Sequence, residues 1–153
     1  MIGQIYSELN DTKNAIVFYE LADKIDSKNY YNLQPLLALY VKTDNQKKEE
    51  MMNSFYNLAP DKPTIYNDLG NIYFENKKIN ELIEFYKSKL LTYEDEKKIS
   101  GNLNFYLGQL FLDSDKKIAK EYFLNAKSIF KTIYDNDNQV FKAIDEGIKQ
   151  TKH

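Results

Sequence analysis

One five-residue pattern returns four times along this chain of 153 residues: Ile2-Gly3-Gln4-Ile5-Tyr6, Leu36-Leu37-Ala38-Leu39-Tyr40, Leu69-Gly70-Asn71-Ile72-Tyr73 and Leu107-Gly108-Gln109-Leu110-Phe111. The copies start 34, 33 and 38 residues apart. A period of about 34 residues is the mark of a helical solenoid, in which one unit cannot bury its apolar face alone and stacks on the next. Such arrays are binding surfaces whose partner is chosen by a few inner-face side chains. The chain therefore reads as an interaction module.

Composition narrows the partner classes. With 42% hydrophobic and 29% charged residues, the chain has the balance of a single folded domain. A net charge of -2 offers no bulk attraction to nucleic acid. All 21 basic residues are lysines, so the guanidinium fork that reads phosphates and bases is missing. Cysteine is absent, which removes disulfides, thiolate metal sites and a thiol nucleophile. The single histidine is His153, so most acid-base, triad and zinc chemistry lacks its usual side chain. No signal peptide is visible at the amino terminus. The longest nearly apolar run, Leu33 to Val41, falls well short of the roughly 20 residues that span a bilayer. A cytoplasmic protein is expected.

The third repeat shows how a unit folds. Pro63 and Thr64 suit a helix start, because proline's missing donor costs nothing in the first turn. Tyr66, Leu69, Gly70 and Tyr73 then share one helical face. Asn76, Lys77 and Lys78 break the apolar pattern, and a second helix follows with Ile79, Leu82, Ile83, Tyr86 and Leu90 as its stripe. A mid-helix glycine costs about 1 kcal/mol against alanine, so Gly3, Gly70 and Gly108 need a reason. Close approach of a large side chain from the partner helix is the expected one.

These residues resemble the tetratricopeptide repeat, a helix-turn-helix with an aromatic residue, Leu-Gly and Tyr in its first helix, then Ala, aromatic and Ala in its second, and a final Pro. The third repeat carries Tyr66, Leu69, Gly70, Tyr73 and Tyr86, with Leu82 and Lys89 in place of the two alanines. The first carries Gly3, Tyr6, Ala15, Tyr19 and Ala22. The fourth carries Leu107, Gly108 and Phe111, then Ala119, Phe123 and Ala126 in the small, aromatic and small slots. The second is the weakest, with Tyr40, Met52, Phe55 and Pro60 but Lys48 near a small-residue slot. The resemblance implies an all-α, right-handed α-α superhelix of four repeats over about 1–29, 30–62, 63–96 and 101–133, closed by a capping helix over about 137–151. The cap follows from Val140, Phe141, Ile144 and Ile148 on one side of an otherwise polar segment.

Three irregularities bear on shape. Pro35 is tolerated if Asn32 caps a late-starting helix, which is the expectation, and otherwise kinks it. About four extra residues near Lys97 to Ser100 should lengthen a helix or its loop. Met1 falls inside the first helix of repeat one, leaving Ile2, Ile5 and Tyr6 to face a neighbour. The chain is accordingly expected to be a fragment of a longer protein, with self-association through that helix as another way to cover it.

In the family the first helices line a concave groove. The geometry it implies points Gln4 and Ser7 inward, then Tyr31, Gln34, Ala38 and Val41, then Thr64, Asn67, Asn71 and Phe74, then Asn102, Phe105, Gln109 and Leu112. None is charged. Members that clamp acidic chaperone tails use lysine and arginine in these slots, so that activity does not carry over. A carboxamide offers both a donor and an acceptor, as an extended peptide backbone requires, and Phe74 and Phe105 could be flat apolar anchors. Alternatively these amides are ordinary solvated surface in an asparagine-rich chain.

Other signals read as structure. Lys13, Lys47-Lys48, Lys77-Lys78 and Lys116-Lys117 fall near turns within repeats and could present a row of positive charge, but neighbouring acids such as Asp11, Asp44, Glu75, Asp113 and Asp115 offset them. Asp135-Asn136-Asp137 with Glu146 has part of a calcium-loop spacing, yet Val140 stands where that loop needs glycine, so Asp137 or Asn138 is read as a helix cap. Glu94-Asp95-Glu96 reads as a solvated loop, and most of the 13 tyrosines as core. The whole describes a non-catalytic scaffold for a protein or peptide partner, with no catalytic, metal or cofactor residues, no nucleic acid and no membrane span. Its rivals are a sensor or self-association segment of a larger signalling or secretion-assembly protein, and an enzyme, which would need carboxylates converging in the groove.

Overall fold

The computed structural model describes residues 3–5 and 11–152. Residues 3–5 are helical, and eight further helices follow: α1 (Thr12–Ile25), α2 (Tyr30–Lys42), α3 (Lys48–Tyr56), α4 (Pro63–Glu75), α5 (Ile79–Thr92), α6 (Lys97–Phe111), α7 (Lys116–Phe130) and α8 (Gln139–Gln150). No strand occurs among the described residues. Within each compact unit, helices adjacent in sequence pack on one another, as in a helical-repeat protein. The chain forms two compact units, residues 1–77 and 78–153.

In the first unit α2 is the central element, packed against α1, α3 and α4. Ala15 and Tyr19 of α1 meet Leu36, Leu39 and Tyr40 of α2 in one apolar cluster. A Cβ on Gly3 would stand 3.1 Å from the Tyr19 ring, so here the repeat glycine does admit an aromatic side chain. Three caps define α2 and its neighbours. Asn29, not Asn32, caps α2, its Oδ1 accepting from the Tyr31 backbone N–H at 2.9 Å. The late start expected around Pro35 is therefore wrong: Pro35 lies inside the helix and leaves the Tyr31 carbonyl without its usual i+4 donor. At the other end the Asn45 N–H reaches the Tyr40 carbonyl at 2.8 Å and the Asp44 N–H reaches that of Val41 at 3.2 Å, a Schellman ending. It is built on Asp44 at φ 53 where glycine is usual. Pro63 opens α4 in the first turn. Buried Tyr56 hydrogen-bonds Tyr66 at 2.8 Å, and the Tyr66 hydroxyl donates to the Pro60 carbonyl at 2.6 Å, pinning α3 to α4 and the turn between them.

In the second unit α6 takes the central place, covered by α5, α7 and α8. Every residue from Ile99 to Phe105 is buried, which requires partners on more than one side. The extra residues of the long third interval extend this helix, which begins at Lys97, four positions before 101. Phe123 of α7 lies between two glycines, one from α6 and one from α8: a Cβ on either Gly108 or Gly147 would come within 2.7 Å of its ring. Gly101 makes the same room for Phe130, whose ring would stand 2.5 Å from a Cβ there. Asn138 caps α8 through its Oδ1 to the Val140 N–H at 3.0 Å, and Phe141 and Ile144 carry that helix into the core.

The expectation of close approach fails at Gly70. A Cβ there would meet nothing within 4 Å.

Candidate functional site

Helix α4 presents an uninterrupted polar and aromatic stripe. Thr64, Asn67, Asn71 and Phe74 follow one another at steps of three, four and three residues and are all exposed, Phe74 to 70%. The stripe exists because Ile65, Tyr66, Leu69, Ile72 and Tyr73 use up the opposite face for burial. Neither the Asn67 nor the Asn71 carboxamide is taken by a hydrogen bond to a described residue. Behind them the Tyr30 hydroxyl of α2 donates to the Asp68 carboxylate, tying α2 to α4. That hydrogen bond, then burial, pushes the Tyr30 hydroxyl up to about 12. Asp68 thus has its charge spent on the interior, leaving the amides as the outward chemistry.

The other expected inner-face residues divide. On α2, Tyr31 is 75% exposed, Gln34 and Ala38 are half-buried, and Val41 is fully buried. Gln4 is exposed, and Ser7 lies outside the described residues. In the second unit Gln109 is exposed and Leu112 half-buried. Asn102 and Phe105 do not line an open surface. Asn102 is 8% and Phe105 9% exposed, and the Phe105 ring packs 5.8 Å from that of Phe123 with Phe141 and Ile144 in the same cluster. The C-terminal helix explains the correction, because α8 packs on α6 as well as α7.

Asn32 is a residue that sequence reasoning missed. It is 6% exposed, makes no side-chain hydrogen bond to a described residue, and lines a cavity of about 550 Å³ together with Gln4, Tyr19, Ile25 and Tyr31. The signal was the cap: once Asn29 takes that role, Asn32 is a third-position helical residue with its amide unassigned.

A second cavity, about 440 Å³, opens between α1, α2 and α3. Its rim carries Glu20, Asp23 and Glu50 against Lys24, Lys28 and Lys47. Tyr40 donates its hydroxyl to Glu20 there, and burial, then that bond, raises its pKa. Opposite charges balance along this rim, so it selects neither sign. Lys48 pairs with Asp44 at 2.5 Å and Lys47 stands 3.9 Å from Glu20, so this pair of turn lysines is met by acids. Among the described residues, no three His, Asp or Glu side chains are grouped to hold a metal ion, and no helix is long and apolar enough to cross a membrane.

No curated protein matches the chain. A family model described as the tetratricopeptide repeat matches residues 1–29. Repeats of this kind generally mediate protein-protein interactions on a fold that is typically a non-enzymatic scaffold. That match, together with an all-helical architecture in which adjacent helices of each compact unit pack on one another, supports a tetratricopeptide-repeat protein.

Proposed function

We propose that the first unit binds an extended peptide segment of a partner protein along α4 and the neighbouring face of α2, without catalysis. The observation that carries this reading is the pair of unengaged carboxamides on Asn67 and Asn71, one turn apart and followed by exposed Phe74. Four residues of helix rise about 6 Å, and two residues of extended chain advance about 6.7 Å. Successive amides on α4 therefore meet alternate peptide groups of one strand, each giving a donor and taking an acceptor. The Phe74 ring supplies apolar area at the end of the row. Nucleic acid fits this face poorly, since the stripe bears no cation.

Selection from a displayed library of random peptides tests the proposal. Wild-type protein should enrich binders that an Asn67→Ala, Asn71→Ala double variant holds at least about tenfold more weakly, the equivalent of one to two net hydrogen bonds. Equal enrichment and equal affinity in both proteins would refute it.

One observation favours self-association as a second reading. Val17, Leu21 and Ile25 lie four residues apart along α1 and are 47%, 47% and 88% exposed, with Ile5 exposed to 53% nearby in sequence. An apolar stripe at that spacing suits a second helix. Light scattering that gives the same monomer mass at every concentration would remove this alternative.

A further inference from the structure

Another cavity of the first unit, about 420 Å³, lies where the α1–α2 and α3–α4 links meet the first turn of α4. Its volume falls within the range of about 300–1,000 Å³ usual for ligand sites. Leu58, Pro63 and Tyr30 give it an apolar wall. The Tyr30 hydroxyl is taken by Asp68, so that residue offers its ring alone.

Charge separates this cavity from the two already described. One of those mixes three acids with three lysines and the other holds Asp26, whereas this one is lined by Lys28 and Lys62 with no acid. The two lysines are 34 residues apart, one repeat period, and each stands in a link between helices rather than at an inner-face position. Lys62 has Asp61 at 3.8 Å. Lys28 also edges the mixed cavity, yet its ammonium forms no ion pair or hydrogen bond with a described residue. Only its backbone N–H is used, donating to Asp23 at 3.4 Å. One cation is therefore met and one is in excess, which matches a single negative charge. A phosphate would bring close to two, with Asp61 beside it to repel the second. A carboxylate fits that balance, and the apolar wall calls for a methylene stem behind it.

Position says what carries the carboxylate. Thr64 lines this cavity and is also the first residue of the exposed stripe on α4. From Thr64 to Phe74 the helix rises about 15 Å, the advance of four to five residues of extended chain. We infer that the cavity takes the side-chain carboxylate of a glutamate in the bound peptide, four to five positions from the residue that meets Phe74. The inference rests on the peptide-binding reading and gives the partner its chemistry, an acidic segment.

N-acetyl-glutamate methylamide, which has the side-chain carboxylate and no free terminus, is the minimal probe. Added to the full chain, it should move the NMR signals of the Leu58 and Thr64 backbone amides, saturably and together. The glutamine analogue, alike in shape and uncharged, should bind about fivefold more weakly. Lys28→Met should erase that preference and Lys28→Arg should keep it. The Asn67→Ala, Asn71→Ala variant should bind the probe like wild type, so failure on α4 and failure here are told apart. Peptides that wild type selects should carry glutamate at the stated distance from an apolar residue, and Lys28→Met should not select it. Equal binding of the glutamine analogue, or loss of the preference in Lys28→Arg as well, would overturn the inference by removing charge as its cause. N-acetyl-glutamine with a free α-carboxylate binding as tightly as the probe would make this a chain-end site, and inorganic phosphate binding more tightly would make it a phosphate site. Either result would overturn it, as would selected peptides that lack the acid.

Discussion

Helices α4 and α6 carry the same motif, Leu-Gly-x-x-aromatic, and use its glycine in opposite ways. In α6, Gly108 is buried and its missing side chain is the space that the Phe123 ring fills, 2.7 Å from where a Cβ would be. In α4, Gly70 has nothing within 4 Å. The residue after the glycine behaves alike in both helices, Asn71 and Gln109 each being exposed. Helix periodicity sets which residues face outward, while the use of a small residue is set by whatever the neighbouring helix brings to it. One helix became a scaffold element and the other kept an open face.

The largest break in this contrast would come at the ring itself. Phe123→Ala empties the space between Gly108 and Gly147 and should cost about 3–5 kcal/mol, read by urea unfolding. Because two helices close on that ring, little collapse is available to soften the loss. A cost below about 1 kcal/mol would show that the glycines are not spaced for the aromatic at all.

Next in size are the glycines, and here the two helices should differ in sign. Gly108→Ala forces a methyl against a ring held on its far side by α8 and should destabilise by about 1–3 kcal/mol. Gly70→Ala meets open space and should stabilise by up to about 1 kcal/mol through helix propensity alone. Two unfolding curves decide it. If both variants shift the same way, the comparison collapses.

This split marks what the sequence could tell. The repeat period and the helix faces were legible, because spacing decides them, whereas the one packing role expected of Gly3, Gly70 and Gly108 held at the first and last and failed at Gly70. Gly101 and Gly147 were not legible, since their partners Phe130 and Phe123 come from helices whose contact with them no short motif records. Asn102 and Phe105 looked like inner-face residues by position, yet both are buried, Phe105 in a cluster with Phe141 and Ile144 of α8, a helix whose apolar stripe was visible but whose landing site was not. The start of α2 was misplaced because Asn32 was taken as the cap, whereas Asn29, the same residue type three positions earlier, holds it. On α4 the stripe Thr64, Asn67, Asn71 and Phe74 was readable as a face, but whether its amides were engaged was not.

A smaller effect concerns the support behind that face. Tyr30→Phe removes the donor to Asp68 and should cost about 1 kcal/mol. The pH dependence has a definite sign. The folded state holds the Tyr30 proton more tightly, with a pKa near 12 against an ordinary 10.0, so its contribution is complete below pH 10. It disappears as pH rises from there through about 12. The wild type should therefore lose its advantage over Tyr30→Phe across that alkaline window. An advantage that stays constant to pH 12 would mean that the hydroxyl contributes by packing alone.

The smallest effect lies at the helix ends, where α4 and α6 differ again. Helix α4 stops with Lys77 in the left-handed region at φ 58, its N–H reaching the Phe74 carbonyl at 3.0 Å. Lysine has a Cβ that this conformation crowds, and glycine does not. Helix α6 stops with Leu112 at φ -52, and Asp113 after it is not among the left-handed residues. Lys77→Gly should accordingly stabilise by roughly 0.5–1 kcal/mol, the strain relieved exceeding the added freedom of the unfolded chain. Asp113→Gly gains no relief and bears only that freedom, so it should destabilise by about 0.4–1 kcal/mol. Both positions are exposed, which keeps packing out of the measurement. Opposite signs at the two ends would extend the contrast between these helices from their glycines to their caps, and equal signs would confine it to the core.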